Sequence, residues 1–197
     1  MPAQTRYRPG ADSVRPVARA HLRRALVALA LALPAQAALA QDSVFATFGG
    51  DTIYVYGVGR GWAPWWSMQL ENDRKLSLRG IASVSGWYAR GHDENKSLVA
   101  FGAYPVLRLD MEPMAGLLPY FEAAIGVNAL THTWIENRRL STAFQFGEFF
   151  GVGFSFGDKR QFDLGARYQH ISNADIKRPN DGLSYPSIVF QYRFSPP

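Results

Sequence analysis

Regular alternation of large apolar side chains with polar or small ones most restricts how this chain of 197 residues can fold. In residues 144–156 the even positions are mostly phenylalanine or valine, whereas the odd positions carry mostly glycine, glutamine and serine. Residues 160–172 and 184–194 follow the same rule. A period of two indicates β-strands whose two faces meet different surroundings. From residue 41 onward we find no amphipathic helix of convincing length, so the sequence predicts an all-β fold.

Eight segments of this kind predict eight strands, most of them longer than the usual strand of a soluble protein. They are 43–59, 65–71, 77–88, 98–111, 118–128, 142–156, 160–172 and 184–194, with Gly49-Gly50 as a candidate break in the first. Because one row of side chains is large and apolar and the other is small or polar, we predict an eight-stranded antiparallel transmembrane β-barrel with its outside in lipid. A soluble sandwich or a lipocalin-like barrel, with the large side chains inside, is the alternative.

The first 40 residues differ from the rest of the chain. Four arginines between Arg15 and Arg24 precede an apolar run at 25–33, and Ala38-Leu39-Ala40 ends a stretch of small residues. A basic region, a short apolar core and an A-x-A site are typical of a secretory signal peptide. We therefore predict a cleaved signal peptide at 1–40 and a barrel domain at 41–197, exported to the cell outer membrane. A disordered basic leader followed by a buried helix is the alternative.

Composition excludes several classes of protein. The absence of cysteine excludes disulfides, zinc–thiolate sites and thiol nucleophiles. The formal net charge of +5 arises in residues 1–40, because residues 41–197 hold equal numbers of basic and acidic side chains. Nucleic-acid binding needs a basic excess on the folded part, so it is not expected. We see no glycine-rich phosphate loop, metal-ligand cluster or cofactor motif, and we predict no metal and no cofactor.

The connections between strands predict the orientation of the barrel, since barrels of this class have short periplasmic turns and long external loops. The short connections are at 72–73, 112–117 and 157–159, and the longer ones are at 60–64, 89–97, 129–141 and 173–183. The longer set is therefore predicted to be external, with both chain termini periplasmic. An interfacial aromatic girdle is then predicted at the external end from all five tryptophans, Trp62, Trp65, Trp66, Trp87 and Trp134. Cations predicted there, which could hold phosphates, are Arg60, Arg90, Lys96, Arg138, Arg139, Lys177 and Arg178.

His170 and Ser172 are the candidate reactive pair. Because the two residues are two positions apart on one strand, their side chains point the same way. Their even residue numbers place them on the lipid-facing row with Leu164 and Tyr168. Counted from the start of the strand at Arg160 with a rise of about 3.3 Å per residue, both residues are predicted to lie near the outer-leaflet interface. Imidazole can accept the serine proton and so make the hydroxyl a nucleophile for an ester. A polar strand end entering a loop carries the same residue types, and spacing alone favours that simpler interpretation.

Strand pairing brings one carboxylate toward this pair. A tight turn at 157–159 would set Glu148 opposite residues 168–170. Its even position also places Glu148 on the lipid-facing row, where an unpaired carboxylate is costly. Partnership with His170 would explain an acid there. A bulge that turns Glu148 inward to meet an arginine is the competing interpretation.

A motif at the end of this strand adds a resemblance. The sequence His170-Ile171-Ser172-Asn173-Ala174, followed by Pro179-Asn180 and Gly182, resembles the signature of the outer-membrane lipid A 3-O-deacylase family of the PagL type. Segments 144–153, 162–168 and 119–122 are also similar to that family in type and order. The resemblance implies an eight-stranded barrel whose outward-facing His-Ser-Glu triad removes the acyl chain at the 3-position of lipid A.

The same resemblance implies roles for individual residues. His170 would be the general base and Ser172 the nucleophile, while Asn173, Asn180 or backbone N–H groups of the loop would stabilise the oxyanion. The glutamate of the family would align near Ser184, so the resemblance supplies no acid at that position. Asp181, three residues earlier, lies in the loop. Glu148 therefore stays the predicted acid, on strand pairing alone.

Together these inferences predict an outer-membrane esterase that acts on the lipid A part of lipopolysaccharide. Its partners would be lipopolysaccharide and the lipid of the outer membrane, and a homodimer is an open alternative to a monomer. Two other functions stay open: a non-enzymatic small barrel for adhesion or structure, and a barrel esterase directed at phospholipid.

Overall fold

The computed structural model of the protein describes residues 43–50, 52–90 and 96–194. The predicted signal peptide and its junction with the barrel domain lie outside these ranges. The described residues form β1 (Ser43–Gly50), β2 (Ile53–Gly61), β3 (Trp66–Gln69), β4 (Lys75–Ala89), β5 (Ser97–Asp110), β6 (Leu118–Leu130), β7 (Trp134–Ile135), β8 (Arg138–Arg139), β9 (Phe144–Phe156), β10 (Phe162–Ser172) and β11 (Leu183–Arg193). No helix in these ranges is long and apolar enough to cross a membrane.

Eight strands close into an antiparallel barrel. Each pairs with the next in the order β1, β2, β4, β5, β6, β9, β10, β11, and β11 pairs back with β1. Closure gives each of these eight strands a partner on both sides, as a wall in contact with lipid requires. The short strands β7 and β8 form a separate hairpin in the connection between β6 and β9. The predicted eight-stranded antiparallel barrel is confirmed.

The first two predicted strands are wrong in their boundaries. The segment 43–59 is a hairpin rather than one strand, because the chain reverses after Gly50 and β1 pairs with β2 from Ser43–Gly61 to Gly50–Tyr54. Gly50 has a φ of 120°, and a Cβ there would lie 1.8 Å from a backbone oxygen, so the reversal requires glycine. The predicted strand 65–71 corresponds to β3, which shares one position in the barrel with β2, since both pair with β4. One predicted strand thus becomes two, and another shares a barrel position with its neighbour, so the number of strands in the barrel remains eight.

The two ends of the barrel differ in their connections. We call the end with residues 131–143 and 173–182 the loop end, and the end with residues 70–74 and 157–161 the turn end. The segment 60–64, predicted to be an external loop, lies instead in the wall between β2 and β3. Arg60 accordingly pairs with Ala82 in the middle of β4 and does not belong to the loop-end cations.

The tryptophans do not form one girdle at the loop end, contrary to prediction. Trp62 and Trp65 donate backbone hydrogen bonds to carbonyls in the first turn-end residues of β4, and Trp66 pairs there as well. Trp87 is buried in the lumen, with its Nε1 donating to Ser85 Oγ at 2.9 Å. Trp134 alone lies in the loop-end hairpin. For Trp62, Trp65 and Trp66 the error follows from the misplaced hairpin of β1 and β2, whereas Trp87 departs because its side chain points inward.

Burial alternates along the strands as the sequence predicts. In β9, β10 and β11 the odd positions are mostly buried in the lumen, and most even positions are exposed on the outside. The exposed outer residues of these strands include Phe144, Phe146, Phe150, Val152, Leu164, Tyr168, Ile188 and Phe190. The outer surface of the barrel is therefore apolar and suited to lipid.

Charged side chains fill the lumen toward the turn end. The Asp163 carboxylate accepts hydrogen bonds from Arg108 at 3.0 Å and from Arg193 at 2.6 Å. Glu122 pairs in the same way with Arg167 at 2.5 Å. Buried charges are tolerated only when they are paired and hydrogen-bonded, and each of these pairs joins different strands.

Apolar side chains fill the lumen toward the loop end. This core consists of Ile53, Val55, Trp87, Leu98, Ala100, Leu130, Ile135, Leu140, Ile171, Leu183 and Tyr185. Ile135 and Leu140 come from the connection between β6 and β9, so the loop itself is anchored in the barrel. Ile171 points inward between His170 and Ser172, and it therefore fixes the part of β10 that carries both.

Candidate active site

His170 and Ser172 lie near the loop end of β10, on the outside of the barrel. Ile171 between them is fully buried in the apolar core, whereas both of its neighbours are half-buried on the opposite face. Because side chains alternate along a strand, the inward position of Ile171 forces His170 and Ser172 outward. The structure thus brings together the two residues that the sequence singles out.

Neighbouring strands place one polar residue on each side of His170. Glu148 on β9 and Ser184 on β11 both lie directly opposite it in the strand register. The register predicted for Glu148 is confirmed, and its side chain is exposed on the outer face, so the interpretation of an inward-turning bulge is wrong. Residues opposite each other on one face have Cβ atoms about 4.5–5.5 Å apart.

Ser184, and not the glutamate, makes the hydrogen bond to the imidazole. The Nδ1 atom of His170 lies 2.7 Å from the Oγ atom of Ser184. In the described part of the chain, no hydrogen bond or ion pair joins Glu148 to His170. Asp181, the other acid close by in sequence, accepts a hydrogen bond from the backbone N–H of Arg139 at 2.6 Å. It ties the loop to the β7–β8 hairpin, and no hydrogen bond or ion pair among the described residues joins it to the imidazole.

Gly182 lies against the other edge of the imidazole ring. Its φ is 57°, in the left-handed region that favours glycine. A Cβ there would be 3.1 Å from Cε1 of His170 and 3.5 Å from Nε2. Ser184 therefore contacts the Nδ1 edge, and the glycine at 182 places no Cβ against the Cε1–Nε2 edge.

Asn173 anchors the loop that follows Ser172. Its buried side-chain amide donates to the carbonyls of Leu140 at 2.8 Å and Lys177 at 2.7 Å. A primary amide has only two hydrogens, so the side chain of Asn173 has none left for an oxyanion. Its predicted role is therefore limited to positioning the loop.

Asn180 keeps one amide hydrogen available beside Ser172. Its Oδ1 accepts the backbone N–H of Asn173 at 3.1 Å, and its Nδ2 donates to Asp175 at 3.3 Å. Hydrogen bonds from Asn180 and Arg178 lower the pKa of the Asp175 carboxyl, which is thus ionised at neutral pH and holds the amide in place. The second amide hydrogen of Asn180 has the chemistry an oxyanion requires.

An apolar groove of about 560 Å³ begins at His170 on the outer surface. It crosses β9, β6 and β5 toward β4, and its lining residues are Leu78, Pro105, Leu107, Ala123, Ala124, Ile125, Glu148, Phe149, Phe150, Tyr168 and His170. Apart from Glu148 and His170, most of its surface is hydrocarbon. A groove of this kind can hold an acyl chain with its ester end at the imidazole.

Several cations surround the loop end. Lys96, Arg138, Arg139, Lys177 and Arg178 lie in its loops, as predicted, and Arg90 follows β4 at the same end. Arg139 stacks over Trp134, with 4.8 Å from its guanidinium carbon to the ring centroid. These side chains lie on the same end of the barrel as His170, where they can meet the phosphates of an amphiphile.

The arrangement as a whole fits ester cleavage by a serine and a histidine. A hydroxyl and an imidazole share one face, and a second polar residue holds the far nitrogen of the ring. Across the described ranges, no group of three or more His, Asp and Glu side chains could hold a metal ion. The residues that the site does offer are a serine and a histidine on the outer wall, with an apolar groove beside the histidine.

Sequence reasoning overlooked two features of this site. Ser184 entered only as a position lacking an acid, although its even number and its place at the start of the last strand put it on the outer row. The groove was not foreseen, because its lining comes from five strands far apart in sequence. Only the closed barrel brings Leu78 and His170 onto one surface.

Comparisons with known proteins agree with this geometry. The family model described as "Lipid A 3-O-deacylase (PagL)" matches residues 54–193. The chain is 33% identical over 172 residues to the lipid A deacylase PagL of Bordetella bronchiseptica, covering 86% of this chain and 93% of that protein. It is 30% identical over 158 residues to the lipid A deacylase PagL of Pseudomonas aeruginosa, covering 80% and 87%.

A solved structure is similar as well. The crystal structure of the outer membrane enzyme PagL matches with a TM-score of 0.66 and 26% identity, over 76% of this chain and 98% of that one. The family model spans the barrel from β2 to the end of β11, and both relatives cover most of the chain. The chain therefore belongs to the lipid A 3-O-deacylase (PagL) family and is a β-barrel enzyme of the outer membrane.

Proposed function

We propose that this protein hydrolyses the 3-O-linked acyl chain of lipid A, with Ser172 as the nucleophile and His170 as the general base. The observation that carries the proposal is that both residues lie on the outer wall and that His170 lines one end of an apolar groove. An ester held between a sugar headgroup and an acyl chain has its carbonyl at the boundary between polar and apolar surroundings. His170 and Ser172 lie at such a boundary.

The reaction follows the usual two steps of a serine esterase. Nε2 of His170 takes the proton from Ser172, and the serine oxygen attacks the ester carbonyl. The amide of Asn180 and backbone N–H groups of the loop then stabilise the oxyanion. The sugar hydroxyl leaves with the proton from His170, and an acyl-serine remains. Water, activated by the same imidazole, hydrolyses the acyl-serine to release the fatty acid and regenerate Ser172.

Glu148 contributes to this scheme through its charge. It lies opposite His170 without a hydrogen bond to it, so its effect on the imidazolium is electrostatic. A negative charge near a positive one is worth more in an apolar environment than in water. We assign Glu148 the stabilisation of the imidazolium that forms during proton transfer.

The substrate would lie along the outer wall. The acyl chain occupies the groove toward Leu107 and Leu78, and the headgroup lies among the loops. Lys177 and Arg178 lie exposed in the loop between β10 and β11, where they can meet lipid A phosphates. This placement requires no opening of the barrel, because the lumen takes no part in it.

Mass spectrometry of lipid A tests the proposal directly. Cells that make the protein should contain lipid A lighter by one 3-hydroxy fatty acid, and cells with the Ser172→Ala variant should not. Barrel integrity of the variant is checked by its heat-dependent migration on gels. Equal lipid A masses in parent and variant would refute the assignment. Thin-layer separation of both lipid classes tests the substrate, and fatty acid released from phospholipid instead would overturn lipid A as its source.

A further inference from the structure

We propose that Ser184 is the positioning residue for the imidazole of His170, so that the general base of this protein is oriented by a hydroxyl and not by a carboxylate. The inference deepens the proposed function and rests on it. It divides the task of the third residue in two: Ser184 sets the orientation of the ring, and Glu148 supplies charge.

Geometry is the first support. Ser184 Oγ lies 2.7 Å from His170 Nδ1, within normal hydrogen-bond distance. Ser184 is on β11, directly opposite His170 on β10, and its side chain is on the outer face. The paired strands β10 and β11 therefore hold the imidazole and the hydroxyl in contact, and no loop movement is needed to form the hydrogen bond.

The acids nearby are otherwise engaged or lack this contact. Asp181 binds the backbone N–H of Arg139, and Asp175 binds Arg178 and Asn180. Glu148 makes no hydrogen bond to the ring in the described part of the chain. Ser184 thus occupies the position from which a third residue acts in a serine–histidine site.

The hydrogen bond with Ser184 affects which nitrogen of the neutral His170 ring carries the proton. A neutral imidazole carries one N–H and one lone pair, and only the form protonated at Nδ1 leaves Nε2 able to accept the proton of Ser172. Ser184 Oγ selects that form when it accepts from Nδ1–H. A hydroxyl can also donate, so it selects the productive form less strictly than a carboxylate, which can only accept.

Steady-state kinetics on lipid A with the purified full-length barrel test the inference. Ser184→Ala should lower kcat about tenfold, as expected for loss of one orienting hydrogen bond, with little change in KM. Ser184→Thr keeps the hydroxyl and should restore most of kcat. Ser67→Ala, on β3 outside the groove, is the matched control and should behave like the parent.

An added carboxylate provides the opposite test. Two charged residues lie near this part of the wall: Glu148 is opposite His170 on β9, and the guanidinium of Arg138 on β8 donates to the carbonyl of Gly182 at 3.5 Å. Ser184→Glu in a Glu148→Gln background keeps the number of nearby carboxylates at one. It should raise kcat above that of Glu148→Gln alone, since a bonded carboxylate stabilises the imidazolium that forms during proton transfer.

Nitrogen-15 NMR of the histidine ring gives a readout independent of turnover. The parent should show His170 with its proton on Nδ1, and Ser184→Ala should show a mixture of both forms. Unchanged ring signals and unchanged kcat in Ser184→Ala would overturn the role of Ser184, while the Ser172→Ala result would still decide the proposed function. If the parent shows no deacylation, the proposed function fails, and the inference that rests on it fails with it.

Discussion

Glu148 lies directly opposite His170 across β9 and β10, on a wall whose exposed side chains are mostly apolar. Its partner on the other side is Ile125 of β6, and Phe146 and Phe150 flank it along β9. A carboxylate among such side chains is energetically costly, so its presence here indicates a functional role. The titratable group directly across from it is the imidazole.

Replacing this carboxylate by its neutral isostere should slow the reaction without harming the barrel. Glu148→Gln is expected to lower kcat about tenfold to a hundredfold, in line with a unit charge acting across strands at an intermediate dielectric constant. Steady-state kinetics of the purified enzyme measure the loss, and a kcat identical to that of the parent would remove Glu148 from the mechanism.

The outward position of His170 and Ser172 can be predicted from sequence because strand geometry has a fixed period. Once Leu164 and Tyr168 are assigned to the lipid-facing row, the other even-numbered residues of the strand, including His170 and Ser172, must face the same way. The register that sets Glu148 opposite His170 follows for a similar reason, since a tight turn joins β9 to β10. Both inferences depend only on local, regular structure.

Other features depend on connections whose shape is not visible in the sequence. The hairpin of β1 and β2 has apolar alternation on both sides of Gly50, so the reversal there resembles a simple break in one strand. The contact of Ser184 with His170 depends on a ten-residue loop, across which no register can be counted. That loop is shaped by Asn173 and by its ties to the β7–β8 hairpin.

Gly182 should be sensitive to a single added methyl group. Gly182→Ala places a Cβ 3.1 Å from His170 Cε1 and 3.2 Å from the Ile171 carbonyl, at a φ of 57°. We expect kcat to fall at least tenfold as the ring is displaced, with a loss of about 1 kcal/mol in unfolding free energy from the backbone alone. Gly116→Ala is the matched control, since Gly116 also has positive φ but nothing within 4 Å of its Cβ position. Equal activity of the two variants would contradict this role for Gly182.

The charged network in the lumen should contribute to stability and not to turnover. Asp163→Asn removes the buried charge that pairs with both Arg108 and Arg193. Breaking such a pair leaves buried cations uncompensated, and we expect a loss of about 3–5 kcal/mol in unfolding free energy. Urea unfolding of the refolded barrel measures the loss, with the exposed turn variant Asp158→Asn as control. A large drop in kcat for folded Asp163→Asn would show that the lumen and the outer site are coupled.

Filling the groove should impair the reaction in a way that depends on acyl-chain length. Ala123 is exposed on β6 and lines the groove midway between the imidazole and its far end. Ala123→Trp would occupy the path of a long acyl chain, so kcat/KM for lipid A should fall at least tenfold, since several buried methylenes are each worth about 0.8 kcal/mol.

Hydrolysis of a short, water-soluble ester by the same Ala123→Trp variant should change little, because such a substrate does not reach Ala123. Ala46→Trp puts the same side chain on the outer face of β1, away from the groove, and should match the parent with both substrates. If Ala123→Trp kept its full kcat/KM on lipid A, the acyl chain would have to lie elsewhere on the wall.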